Sequence, residues 1–583
     1  MRHFKITITL LFSFASAAGF AQCNFAPPAS PHVLNYSFEP VISQDKLRFR
    51  VTLEFKSGGS GKTKLILPSE WAGQKDAYKS VTELIVISPG TTLTETSEPA
   101  KREVQSPPNS PVRIAYVLVK DWSGPLDTAT RFRADLSPEY FHIIGITSLV
   151  HPQLDSFQPV EVHFDWSRLP KEWSLATSFA TDERCQSFNG SWHDALNALF
   201  VGGDYRIYRS SIAGNALIFA IRGKWSFTDD EWMGKVGKII EFERTFWHDN
   251  SFPYFLVTLT PHGGNSGSSG GTALTNAFME HLSPQASISL NILDQIAHEE
   301  FHSWNPYRIG HMPDPQEPVS WFSEGFTRYY ETLMLFRAGL LPFPDYVISF
   351  NAKLRDYEMN EGRDVSLAGF VRRHIGDKSA FSGLEYRRGA VIAAWLEATI
   401  RNESHGRFSL DDLMFFLVRQ NAAYSGNHGK PMLVSNKRIF KAAARYIRRA
   451  SVHKLRKYVE QGGGIQLPVD SLGSCVQSRI EAIGKFDLGF DRGSITSETK
   501  NVVGVRQDSE AYKAGLRDGQ QLLGWSIYNG DPTKQVKLTI KTAAGRQEIT
   551  YYPQGEKISV QQFILNAGEY SLKPQVCSAM IQH

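Results

Sequence analysis

Residues 290–306 read LNILDQIAHEEFHSWNP, and this stretch decides how the rest of the chain is understood. Ile292, Leu293, Ile296 and Phe301 recur at helical spacing, so the segment reads as a helix with a buried side. His298 and His302 are four residues apart, which separates them by about 40° around a helix axis and projects both imidazoles from one face. Two such rings suit two tetrahedral positions on a zinc ion. Glu299 stands beside the first of them, where its carboxylate can reach a zinc-activated water as a general base.

Two neutral histidines favour an anionic third ligand and leave one position open for water. The apolar helix WFSEGFTRYYETLMLF (321–336) supplies Glu324 near its start. His311 is the alternative, but the residues that would extend the motif toward it are Asn305 and Arg308. Glu300 and His281 are read as background, Glu300 as solvated or flanking the site.

Around this centre the chain divides by composition and period. The 583 residues suggest several domains, with 42% hydrophobic and 12% aromatic residues to build their cores. A net charge of +4 excludes polyanion binding by bulk charge. The opening MRHFKITITLLFSFASAAGFAQC has a basic start, a short apolar core and a small-x-small end at Gly19-Phe20-Ala21, which predicts a secretory signal over residues 1–21. No later run is long and apolar enough to span a membrane. The location expected is therefore secreted or periplasmic, where disulfides are permitted. Cys23 with Cys185 and Cys475 with Cys577 could pair; spacing alone leaves the pairing open.

From about residue 30 to 175 the pattern has period two. In KLRFRVTLEFK, Leu47, Phe49, Val51, Leu53 and Phe55 fall on one face and charged residues on the other. An all-β domain is expected there. The period changes near 180 and reads as largely helical from about 270 to 460. The segment NKRIFKAAARYIRRASVHKLRKYVEQGGG (436–464) is strongly basic and reads as the solvated face of an outer helix whose Ile439, Phe440, Ala443 and Ile447 point inward. Nucleic acid is not expected as a partner.

HEEFHSWNPYR followed by W-x-S-E-G-F-T resembles the glycyl aminopeptidase family of gluzincin zinc metallopeptidases. The resemblance implies one zinc ion held by His298, His302 and Glu324, with Glu299 as base. It also implies an oxyanion-stabilising tyrosine in a Y-x-x-G context, which falls on Tyr386 before Gly389, with Arg388 where the family usually has lysine. The family's glutamate for the substrate amino terminus lies in a glycine-rich segment. Gly263, Gly264 and Ser266 occupy that segment here, with Ser266 in the glutamate's place and Glu280 as a substitute further on. These glycines are expected to hold the peptide backbone.

The fold implied is multidomain α+β. A β domain covers 22–178, a thermolysin-like, mostly helical catalytic domain 179–470, a PDZ-like β-rich domain 471–560 and a tail 561–583. The PDZ-like reading rests on Asp487-Leu488-Gly489-Phe490 and Ala514-Gly515-Leu516. Leu488, Gly489 and Phe490 would offer backbone N–H groups to a peptide carboxylate. The function expected is peptide-bond hydrolysis on peptide or protein substrates, as aminopeptidase or endopeptidase. The alternative is a catalytically idle receptor that binds peptides through the PDZ-like domain.

Overall fold

The computed structural model describes residues 23–582 except 128, 264–268, 361, 377–380, 382, 497–499, 529 and 544. The expected signal over 1–21, Gly264 and Ser266 lie outside the described residues. The chain forms two compact units, one of residues up to 233 with 249–289, the other of 234–248 with 290 onward.

In the first unit, alternation produces the expected sheet. Six strands lie in the order Cys185–Ser191, Pro159–Asp165, Val33–Ser43, Lys46–Lys56, Pro111–Leu118 and Val81–Val86. Leu47, Phe49, Val51, Leu53 and Phe55 are all buried. Phe49, Val51, Leu53 and Phe55 sit opposite Leu118, Tyr116, Ile114 and Val112, so the apolar faces of the two strands coincide. Trp166 closes this core, stacked 3.9 Å from Phe38 and edge-on to Phe49. Burying each such ring contributes about 1.5–3 kcal/mol. Cys23 and Cys185 form a disulfide across 162 residues of chain.

A five-stranded sheet follows in the same unit, ordered Arg206–Ile212, Asn215–Ile221, Tyr254–Pro261, Ala277–Leu282 and Ser269–Leu274. The helical pattern read from 270 therefore begins only at Leu290. The middle strands are parallel, and every residue of Ala277–Leu282 is buried. A strand covered on both faces loses the period-two signal. The compact units also part at 289/290 rather than at the expected 178/179 boundary, because strands continue through this region.

The second unit is helical around the motif. Helix α1 (Asp229–Trp247) enters it from residue 234. The motif helix α2 (Leu290–Phe301) turns its apolar side onto α1 and onto helix α3 (Ser320–Arg337). Phe301 stacks 4.7 Å from Tyr330, and Trp304 stacks 5.7 Å from Trp247. Helix α4 (Phe343–Glu358) and helix α5 (Leu384–Ser404) complete the surround of the site. Helix α6 (Asn436–Ala443) and helix α7 (Arg449–Gln461) follow, with Ile439, Phe440, Ala443 and Ile447 buried as the sequence implied.

Beyond α7 a long hairpin pairs Val476–Phe486 with Gln554–Leu565, and a three-stranded sheet packs Leu538 and Ile540 against Leu516 and Phe490. The hairpin is pinned to α4. The Asn351 amide donates to the Phe563 carbonyl at 2.7 Å, and its oxygen accepts from the Phe563 N–H at 2.8 Å, copying a strand's own ladder. A disulfide between Cys475 and Cys577 ties the tail back to this hairpin. Both cysteine pairs that the spacing left open thus form, and constraining loops of this length opposes unfolding by about 4–5 kcal/mol in the loop-entropy picture.

Helices α3 and α5 cross at two glycines. A Cβ at Gly325 would collide with the backbone of Gly389, and one at Gly389 would collide with the Trp321 carbonyl oxygen and meet the Gly325 Cα at 2.6 Å. That close approach sets Glu324 beside Tyr386. Gly389→Ala should lower stability by about 1–3 kcal/mol through overpacking, measured as a fall in denaturation midpoint. Gly426→Ala, at a helical glycine with open space around its Cβ position, should not lower that midpoint.

Candidate active site

Three ligand-type side chains meet where α2 faces the start of α3. The Nε2 atoms of His298 and His302 lie 3.3 and 3.4 Å from the same Glu324 oxygen, Oε2. Donor atoms of the three residues lie within 4.8 Å of one another, and among the described residues no other cluster of histidines, cysteines and carboxylates does so. The residues expected as ligands are therefore brought together.

The ring orientations are fixed from behind. His302 donates Nδ1–H to the Asn305 carbonyl at 2.8 Å, which leaves Nε2 as the lone-pair donor. Asn305 is itself fully buried and donates to the Phe322 and Ser323 carbonyls and to Thr327 Oγ1, tying the end of the motif helix to α3. His298 donates Nδ1–H to Glu331 Oε2 at 2.9 Å, and Glu331 Oε1 pairs with Lys353 Nζ at 2.7 Å. A carboxylate behind a histidine raises the basicity of the nitrogen that faces the metal. Two imidazole nitrogens and one carboxylate oxygen with fixed tautomers fit the donor set of a zinc centre.

Electrostatics agree with that fit. Burial disfavours a charged His298, yet its hydrogen bonds to Glu324 and Glu331 outweigh it and raise the ring to about 10. Burial likewise works to raise Glu331, but Lys353 and His298 hold it at about 2. Glu324 is pulled below the usual carboxylate range by both histidines against the effect of burial. An ion entering this cluster therefore displaces a proton from a ring that holds it tightly.

Tyr386 stands on the open side. Its ring stacks on His298 with centroids 5.8 Å apart, and its hydroxyl hydrogen-bonds Glu324. Burial first, then the charges of Glu324 and Glu299, push its pKa far above the normal phenol value, so it stays a donor. His298, Glu299 and Tyr386 open together onto a cleft of about 580 Å³. Lys353 and Asp356 form part of its wall, and Asp531 and Pro532 come from the C-terminal region. Arg388, where lysine was expected, turns away from the cleft and donates to the carbonyls of Gly362, Arg363 and Val365.

Other readings change. Glu300 is buried, not solvated, and burial raises it to about 8 with Arg244 opposing. His281 is also buried, beside His142. Gly263, expected to hold substrate backbone, already donates its N–H to the Leu126 carbonyl at 2.7 Å and packs on Pro125. Glu280 is buried in its strand and accepts from the Gly270 N–H. Leu488 and Phe490 are buried in the small C-terminal core, and the Gly489 N–H donates to Asp487 Oδ1 at 2.9 Å. One of the three N–H groups expected to be offered to a peptide carboxylate is thus occupied within the loop. The chain after Phe490 enters a short helix, Gly493–Thr496.

The sequence model of the M61 glycyl aminopeptidase family matches residues 291–369, the span that holds the motif helix, Glu324, Glu331 and Lys353. The matched span carries the ligand cluster, and the chain is a zinc metallopeptidase. No curated protein matches it. Among solved structures, the peptidase is similar to an aminopeptidase N family protein from Idiomarina loihiensis at 17% identity and a TM-score of 0.66, covering 91% of this chain and 98% of that one. An M1 zinc metallopeptidase from Deinococcus radiodurans is more distant, at 15% identity and a TM-score of 0.46, with 75% of this chain and 96% of that one covered. The first likeness establishes the fold across nearly the whole chain.

Two outcomes follow for the peptidase. Glu331→Gln should weaken zinc binding by about 10–100-fold, read by competition with a chromophoric chelator. Because His298 is protonated up to about 10 without metal, zinc binding at neutral pH should release a proton. The apparent affinity should then rise by about tenfold per pH unit towards that value, measured by calorimetry in buffers of different ionisation enthalpy.

Proposed function

We propose that the chain hydrolyses peptide bonds at a single zinc ion held by His298, His302 and Glu324, with Glu299 as general base and Tyr386 as oxyanion donor. The observation that carries this reading is the meeting of two imidazole Nε2 atoms on one Glu324 oxygen. Zinc in that position supplies Lewis acidity, lowering the pKa of water toward neutrality and polarising the scissile carbonyl. The Glu299 carboxylate takes the proton of the attacking water and passes it to the leaving amine nitrogen. The Tyr386 hydroxyl donates to the carbonyl oxygen as negative charge grows there. Glu331 and Lys353 keep His298 in one tautomer throughout.

The rival, an idle cleft with peptide capture at Leu488, Gly489 and Phe490, loses support because Asp487 already occupies the Gly489 N–H. The C-terminal region is better read as a brace, since Asn351 fixes it to α4 and Asp531 reaches the cleft wall. An extracytoplasmic location is part of the proposal. It is supported by the sequence of residues 1–21, by two disulfides, and by the lack, among the described residues, of a helix long and apolar enough to cross a membrane.

Glu299→Gln should keep its zinc and lose turnover by about two to four orders of magnitude, measured on a peptide library with metal content checked in parallel. Tyr386→Phe should lose kcat with little change in KM, because its donor acts on charge that exists only in the transition state. Undiminished kcat in either variant contradicts the assigned role. Repeating the assay with N-acetylated peptides sorts the specificity: abolished cleavage marks an aminopeptidase and retained cleavage an endopeptidase.

A further inference from the structure

Helices α6 and α7 carry a cationic face that the peptidase chemistry does not use. Their buried residues, among them Phe440, Leu455 and Val459, point inward, which leaves the other side to solvent. Lys437 and Lys441 are exposed on α6, and Arg445 and Arg448 at the corner between the helices. Arg449, Lys454, Arg456 and Lys457 are exposed on α7.

A solvated face of a soluble helix normally interleaves the two signs. Here Glu460 is the only carboxylate within α6 and α7. Glu403, the nearest acid packed against them, is spent on the Arg448 backbone N–H and the Ser451 hydroxyl. Elsewhere the same chain pairs its surface cations freely, as with Arg206 and Asp229 or Lys485 and Glu556. The side chains of this patch contact aromatic residues instead: Arg445 lies over Phe416 and hydrogen-bonds Tyr446, Lys454 lies over Trp395 and Arg456 over Phe440.

One apolar group stands at the same corner. Phe408 is 41% exposed, and its ring meets Tyr446, between the two helices, edge-on at 5.4 Å. Cations without a carboxylate partner among the described residues, set around an exposed aromatic ring, are what an anionic, partly apolar surface takes: the charges meet headgroups and the ring enters the interface. Duplex nucleic acid would use the charges but has no place for the ring, and the two disulfides suit a compartment where lipid is the available polyanion. The net charge of +4 over 583 residues shows that the effect is local rather than global.

We propose that this face docks the enzyme peripherally on a bilayer rich in anionic phospholipid, with Phe408 at the headgroup boundary. The cleft lies elsewhere in the unit, among α2 to α5. The docked enzyme thus remains a working peptidase, and the interaction sets where it works.

The test is co-sedimentation of the full mature chain with vesicles of phosphatidylcholine alone and of phosphatidylcholine with phosphatidylglycerol. Binding should appear only with the anionic lipid, and moderate salt should weaken it, because the attraction decays within about 8–10 Å. The variant K437E/K441E/R449E/K457E, built from exposed residues, should bind at least about tenfold more weakly. Its thermal midpoint and peptide turnover should be unchanged. Phe408→Ser should weaken binding without altering the salt dependence. Equal binding by the fourfold variant, equal binding to neutral vesicles, or tighter binding to a duplex oligonucleotide than to anionic vesicles at the same salt would each overturn the proposal. Loss of hydrolysis in Glu299→Gln leaves lipid binding intact, so the two readings fail separately.

Discussion

The second unit is organised around one carboxylate held between two imidazoles. Glu324 must reach both Nε2 atoms from the first turn of α3, and this demands that α3 lie close to α2 on one side and to α5 on the other. The first closeness is secured by Asn305, whose amide bridges the end of the motif helix to the carbonyls of Phe322 and Ser323. The second is secured by the meeting of Gly325 and Gly389, where no side chain keeps the helices apart. The glycine after the ligand and the glycine after the tyrosine are thus two halves of one contact. Their physical work is to place Tyr386 over His298.

Charge is layered outward from that carboxylate. The histidines take their negative partner in Glu324, His298 has a second in Glu331, and Glu331 is neutralised by Lys353 on α4. Each buried charge has an opposite neighbour, which is the condition for keeping ions in a low-dielectric interior. Without a metal the arrangement holds a proton on His298; with a metal the same carboxylates favour the cation. α4 also anchors the C-terminal hairpin through Asn351 and Phe563, so the helix that carries Lys353 is braced by a region far along the chain.

Much of this was legible in the sequence, and the exceptions have physical causes. The grouping of His298, His302 and Glu324, with Tyr386 close by, could be read because helical spacing and motif context fix which face a side chain shares. The N-terminal sheet could be read because half of it faces solvent and alternates. Strands such as Ala277–Leu282 escaped because complete burial erases alternation. Glu331 and Lys353 carried only a weak signal: Glu331 lies two helical turns beyond Glu324, and its partner comes from another helix. At Leu488 to Phe490 a short motif fixes residue types, whereas the availability of the Gly489 N–H depends on Asp487 and its partner Arg506. Gly263 is a similar case, since its N–H is spent on the Leu126 carbonyl.

X-ray absorption at the zinc edge on the purified protein, with metal content determined on the same sample, tests the central claim most directly. One zinc per chain, with two histidine nitrogens and a carboxylate among its light-atom ligands, and loss of the carboxylate contribution in Glu324→Ala, is the predicted result. A spectrum unaffected by that substitution, or one dominated by sulfur, would contradict the account.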